Sequence, residues 1–150
     1  MKMIDQKISE DTLEVLKKNH LRVTPQRHTI LAYLASQNNH PTVDMIHEGL
    51  KKEMPNIGSS TIYNTLNTLV EHHVVIEIQN GDGFTHYDYF GVPHLHAVCS
   101  NCGKIFDVNY DGFGKDQKRI EDKVKEETGF QISNTQIEVT GICADCQKLV

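Results

Sequence analysis

Residues 59–90 read SSTIYNTLNTLVEHHVVIEIQNGDGFTHYDYF. Ile62, Leu66, Leu69 and Val70 recur at helical spacing and predict a buried stripe. Ser60, Tyr63, Asn64 and Asn67 fall on the other side: short polar groups and one aromatic, all uncharged. Such side chains can reach base edges or phosphates in a major groove. After this helix, residues 74–78 are rich in β-formers, Asn80, Gly81, Asp82 and Gly83 supply a turn, and residues 84–90 return as a second strand.

Three more helices are expected upstream. Ser9 reads as an N-cap, with Ile8 and Leu13 as a hydrophobic staple and Leu16 continuing the apolar face. Thr24 and Pro25 are a cap followed by proline at the first helical position, with Ile30, Leu31 and Leu34 turned inward. Thr42 opens a third helix carrying Val43, Ile46 and Leu50. Residues 55–58 break the chain, and Ser59 or Ser60 is expected to cap the fourth. Three helices, a polar-faced fourth and a hairpin follow the order of a winged helix, a helix-turn-helix variant.

From Pro93 the pattern changes. Residues 94–98 and 104–110 read as strands joined by a knuckle at residues 99–103. An amphipathic helix is expected over 111–129, with Phe113, Ile120 and Val124 inward and Gly129 as its stop. Residues 130–132 and 137–142 supply further strands. The expected fold class is α+β: a winged-helix DNA-binding domain over 1–90, then an α/β domain over 91–150, with the boundary at residues 90–93.

The chain's four cysteines form two C-x2-C pairs, Cys99/Cys102 and Cys143/Cys146. Two such loops complete a thiolate tetrahedron, the usual cage of structural zinc, which leaves no open position for chemistry. A redox pair would sit at a helix N-terminus after a strand, whereas Cys102 and Gly103 fall in a hairpin turn. Nearby lies a harder cluster. His94 and His96 are two apart on a strand and leave the same face, Asp107 falls within cross-strand reach, and Asp88 ends the preceding strand. This nitrogen and oxygen set suits Fe2+, Mn2+ or Zn2+. His86 lies on the Asp88 face of its strand and reads as a wing residue or a support for the ligands.

With 150 residues and 38% apolar content, the chain has room for one moderate domain or two small ones. Neither a membrane span nor a signal-type apolar run is present, so the expected location is the cytoplasm, where paired cysteines more often bind metal than form disulfides. The net charge of −5 argues against indiscriminate nucleic-acid binding. Its distribution permits a specific contact: no carboxylate falls between Glu14 and Asp44, where Lys17, Lys18, Arg22 and Arg27 are found.

Leu21-Arg22-Val23-Thr24-Pro25-Gln26-Arg27, Thr61-Ile62-Tyr63-Asn64, the run from His94 through His96, Cys99 and Cys102 to Lys104, and Gly141-Ile142-Cys143 with Cys146 together resemble the ferric uptake regulator family of bacterial metalloregulators. The resemblance covers residues 12–146 and implies a C-terminal dimerisation domain and a homodimer on palindromic double-stranded operator DNA. Within the family the chain looks like the peroxide-stress branch. That branch's regulatory ligands would fall on His40, Asp88, His94, His96 and Asp107. Aspartates rather than glutamates at both carboxylate positions, and Asn64 after Tyr63, point the same way.

What the resemblance implies is a repressor, not an enzyme. Fe2+ or Mn2+ at the regulatory ligands would clamp the dimer on its operator, and hydrogen peroxide would oxidise His40 or His94 of the Fe2+ form and release it. Tyr63 and Asn64, supported by Thr61 and Asn67, would face the bases, and Arg22 with Lys17 or Lys18 would contact phosphates. The nearest alternative is a regulator of the same family responding to iron, manganese or zinc availability without peroxide chemistry. A metalloenzyme lacks a positioned nucleophile or phosphate loop, and a purely structural zinc protein would bind no DNA.

Overall fold

The computed structural model describes residues 6–37, 39–90 and 93–148. The chain divides into two compact units, Met1–Gly91 and Val92–Val150. Of the expected boundary, Gly91 and Val92 lie outside the described residues.

The first unit contains α1 (Gln6–Lys18), α2 (Pro25–Ser36), α3 (Val43–Gly49), α4 (Ser59–Glu71), β1 (Val75–Gln79) and β2 (Thr85–Tyr89). Thr24 and Thr42 cap α2 and α3 as expected, accepting the N–H of Arg27 at 3.1 Å and of Met45 at 3.3 Å. Two expected caps are corrected. Ser9 lies inside α1, where its carbonyl accepts the Thr12 hydroxyl. Gly58, not Ser59 or Ser60, is the N-cap of α4, because its extended backbone already turns the chain and no side chain closes the first turn.

Leu16, Ile30, Leu31, Leu34, Ile46, Leu50, Ile62, Leu66 and Leu69 meet in one core, all essentially inaccessible to solvent. Each such side chain contributes about 1.5–3 kcal/mol on burial. β1 and β2 form an antiparallel pair with Val75 opposite Tyr89 and Gln79 opposite Thr85. In their turn, Asn80 Oδ1 accepts the N–H of Asp82 and Asp82 Oδ1 that of Phe84. Gly81 and Gly83 both sit at φ +89°, which a side chain would oppose. On its outer side β2 offers the Tyr87 N–H to the Pro41 carbonyl at 3.0 Å, holding the α2–α3 loop against the hairpin.

Helices α1 and α4 end alike. The Leu21 N–H reaches the Leu16 carbonyl and that of His20 reaches Lys17; likewise Val74 reaches Leu69 and His73 reaches Val70. This double bond pattern is a Schellman ending, and its apolar contacts tie the buried Leu16 to Leu21 and Leu69 to Val74. The left-handed position is held by histidine both times, His20 at φ +60° and His73 at φ +59°. An L side chain pays roughly 1–2 kcal/mol there. His73→Gly is therefore expected to stabilise the first unit by about 0.5–1 kcal/mol after allowing for the freer unfolded chain, read as a higher urea midpoint.

The second unit contains β3 (Leu95–Cys99), β4 (Ile105–Val108), α5 (Phe113–Thr128), β5 (Glu138–Gly141) and α6 (Ala144–Gln147). β3 is central, antiparallel to β4 and parallel to β5. A parallel neighbour needs a crossover, and α5 with residues 129–137 supplies it. Residues 130–132 are therefore not the expected strand: they belong to this crossover, and β4 and β5 already occupy both edges of β3. The strand expected from His94 begins at Leu95, and Phe113 is buried on α5 as expected. Ile120 is not inward. It is 48% exposed, and Val124 is only half-buried: among the described residues, no helix or strand of the unit is packed over that side of α5, and only the irregular segment 130–136 runs beside it.

Candidate metal centres and nucleic-acid face

Among the described residues, the buried hydrophobic side chains of the second unit are Val98, Cys99, Phe113 and Cys146, and two of these are cysteines. So small a core needs a cross-link. Cys99 ends β3 and Cys102 follows in the knuckle, where the Gly103 N–H returns to the Cys99 carbonyl at 2.9 Å with Gly103 at φ +78°. Gly141 of β5 lies in register with Cys99, which brings Cys143 and Cys146, at the head and middle of α6, to the same place.

The four sulfurs lie within 4.8 Å of one another, with Cys102 and Cys143 3.9 Å apart. A tetrahedron with Zn–S bonds near 2.3 Å has edges of about 3.8 Å. Backbone amides of Cys102 and Cys143 donate to Cys99 Sγ at 3.5 and 3.3 Å, and the Asn101 amide donates to Cys146 Sγ at 3.2 Å. Those donors suit thiolates. The two amides lower the Cys99 thiol to about 6. Asn101 favours the Cys146 thiolate too, but the Cys143 side chain, burial, and then the Cys102 and Cys99 side chains outweigh it and push that thiol up to about 12. Four sulfurs this close cannot all ionise unless a cation compensates them, and the set fits Zn2+.

The expected harder ligands are found as two groups, one in each unit. In the second unit His96 pairs directly with Asp107 across β3 and β4. His96 Nε2 lies 3.1 Å from Asp107 Oδ1 and 3.1 Å from His94 Nε2, and His94 Nε2 lies 3.6 Å from Asp107 Oδ1. Neighbouring ligands on an ion with bonds near 2.1 Å are separated by about 3.0–3.4 Å, so these three fit one coordination face. In the first unit His40 and Asp88 are both buried, with His40 Nε2 3.9 Å from Asp88 Oδ2. His40 stands in the left-handed region at φ +50° directly before Pro41, where extended backbone is the norm. Strain at such a residue persists only where its surroundings impose it.

Along α4, Tyr63 is 52% exposed, Ser60 and Asn64 are also exposed, and Thr61 and Asn67 are half-buried, opposite the buried Ile62, Leu66 and Leu69. Lys17 and Lys18 are exposed in the last turn of α1. Arg22 is exposed, and its carbonyl accepts Arg27 Nη1 at 2.7 Å. Phe84, beside the hairpin turn and 58% exposed, escaped the sequence reading; an apolar residue flanking an Asn-Gly-Asp-Gly turn was the available signal.

A profile described as the Ferric uptake regulator family matches residues 18–140. The chain belongs to this family. Among relatives of this ferric uptake regulator family member, the "Peroxide operon regulator" of Bacillus subtilis is 39% identical over 139 residues, covering 93% of each chain. A solved peroxide stress regulator from Campylobacter jejuni is 32% identical at a TM-score of 0.70, covering 89% of this chain and 98% of that one. PerR from Streptococcus pyogenes, solved in a study of peroxide sensing, is 34% identical at a TM-score of 0.51, covering 93% of both chains. The α+β winged-helix and dimerisation-domain class inferred from the sequence agrees with these likenesses. Among the described residues, no helix is long and apolar enough to cross a membrane.

Proposed function

We propose that this chain is a metal-dependent, DNA-binding transcriptional repressor that responds to hydrogen peroxide, and is not an enzyme. The observation that carries the reading is the convergence of His94, His96 and Asp107 within 3.6 Å, a metal-type donor face in a chain similar to peroxide regulators. One Fe2+ or Mn2+ draws on these three ligands together with His40 and Asp88, and zinc fills the Cys99, Cys102, Cys143 and Cys146 cage. Held by these residues, Fe2+ would supply redox catalysis by which peroxide gives one oxygen atom to an imidazole and leaves as water, and Mn2+ would not.

The protein's part is to hold the donors. His40 belongs to the DNA-binding domain, residues 1–90, and His94, His96 and Asp107 to the dimerisation domain, residues 91–150. Shared ligation favours the arrangement that grips DNA only by its greater affinity for that arrangement. Oxidising His40 or His94 removes imidazole basicity and weakens the hold. Tyr63 and Asn64 face the operator, supported by Thr61 and Asn67, and Arg22 with Lys17 or Lys18 meets phosphates.

The partner in solution is a second copy, on palindromic double-stranded DNA. One face of the β3–β5 sheet supports this: Phe106 and Val139 flank Ala97 in register, Val108 lies opposite Leu95, and Phe106, Val108 and Val139 are 36–55% exposed. An apolar face of this kind calls for a cover.

The test uses a palindromic duplex selected from a random pool by the Mn2+-loaded protein. Peroxide added to the anaerobic Fe2+ form is expected to add one oxygen atom to the peptide bearing His40 or His94 and to abolish duplex binding, leaving the Mn2+ form unaffected. Unmodified histidines with binding unchanged would refute peroxide sensing. Metal-dependent binding that survived peroxide would leave a metal-availability regulator.

A further inference from the structure

A single imidazole joins the hairpin turn to the loop that carries His40. His86, on β2, places Nδ1 2.7 Å from the His40 carbonyl oxygen and Nε2 2.7 Å from Asp82 Oδ2. The two ring nitrogens thus each face an oxygen, one on the His40 loop and one on the hairpin turn. The Asp82 carboxylate is in turn fixed by the Phe84 N–H at 2.9 Å, and the Asn80 side chain accepts the Asp82 N–H at 3.2 Å. The Phe84 amide and then the His86 ring hold the Asp82 carboxyl below the usual carboxylate range. One residue further along β2, the Tyr87 N–H holds Pro41. The left-handed His40 is thus strapped by its own carbonyl to the ring that restrains the turn.

We infer that His86 is a positioning residue that couples the His40 loop to the wing, so that the state of the His40 side chain sets the placement of the residue 80–84 turn against DNA. The inference rests on His40 being a regulatory ligand, as proposed above. When His40 is drawn to an ion, its carbonyl is fixed, the His86 ring is fixed with it, and the turn bearing Asp82 and Phe84 is held in one orientation. Without the ring, an ion can still be ligated by His40, but the turn is no longer informed of it.

The quantity that reports this is a ratio: duplex affinity with saturating Mn2+ over affinity with the regulatory ion removed. Couplings of this kind amount to about 5–150-fold. In full-length, zinc-loaded protein, His86→Phe is expected to lower the ratio by roughly tenfold or to unity, while Mn2+ affinity of the free protein falls by less than the ratio does. His86→Arg, whose forked donors can reach both oxygens, is expected to restore most of it. Asp82→Ala, at an exposed turn where folding is not at stake, is expected to lower the ratio too; removing its charge alone would shift both affinities together and leave the ratio unchanged. A wild-type ratio retained in His86→Phe and Asp82→Ala overturns the inference and leaves the metal-dependent reading intact. A ratio of one in the wild-type protein overturns both.

Discussion

A Cys99→Ser chain is expected to lose its zinc and, with it, the fold of the unit spanning Val92–Val150. Apart from Val98 and Phe113, the buried apolar material of that unit among the described residues is cysteine. The knuckle after β3 and α6 are joined at the sulfurs, where the Cys143 N–H meets Cys99 Sγ and the Asn101 side chain meets Cys146 Sγ. Structural zinc supplies about 10–16 kcal/mol of apparent binding free energy, which is folding free energy where no site exists beforehand. That exceeds what so small a core provides. Metal analysis is expected to show no bound zinc, circular dichroism a loss of the signal belonging to α5 and β3–β5, and sedimentation the loss of dimers. A zinc-free variant with native spectra would show that packing alone sustains the unit.

His96→Ala is expected to act oppositely: fold and zinc retained, regulation lost. His96 is the hub of its group, 3.1 Å from both His94 Nε2 and Asp107 Oδ1. It sits on the face of β3 opposite Leu95 and Ala97, so its removal leaves the apolar face untouched. Disturbing even the supports of metal ligands costs about 10–100-fold in affinity, and removing a ligand costs at least that. Mn2+ binding by calorimetry should fall by about a hundredfold or more, and duplex binding should no longer depend on Mn2+. Metal-dependent binding preserved in this variant would mean that the regulatory ligands lie elsewhere.

The two substitutions also separate what was legible in the sequence from what was not. The spacing inside each C-x2-C loop, the cap-proline pair at Thr24 and Pro25, and the apolar stripe of Ile62, Leu66 and Leu69 are short-range patterns, and each specifies its structure through neighbours one or two turns away. The His94–His96–Asp107 group was legible for the same reason, because strand alternation and a hairpin suffice to bring it together. Ser9 misled because a good capping residue is also tolerated inside a helix when its neighbours are fully bonded. Ile120 misled because helical periodicity shows which face is apolar, not whether this chain covers it.

Sequence by itself determined the helices, the hairpins and the two C-x2-C loops, because periodicity, turn chemistry and ligand spacing act over short stretches of chain. Tertiary structure alone decided that His40 lies beside Asp88 in a left-handed backbone, that His86 spans from its carbonyl to Asp82, and that β5 runs parallel to β3. Apart from the His86–Asp82 step, those contacts join residues more than forty positions apart, and the free energy that selects them comes from the packed core and from buried polar groups finding partners, which no local pattern records.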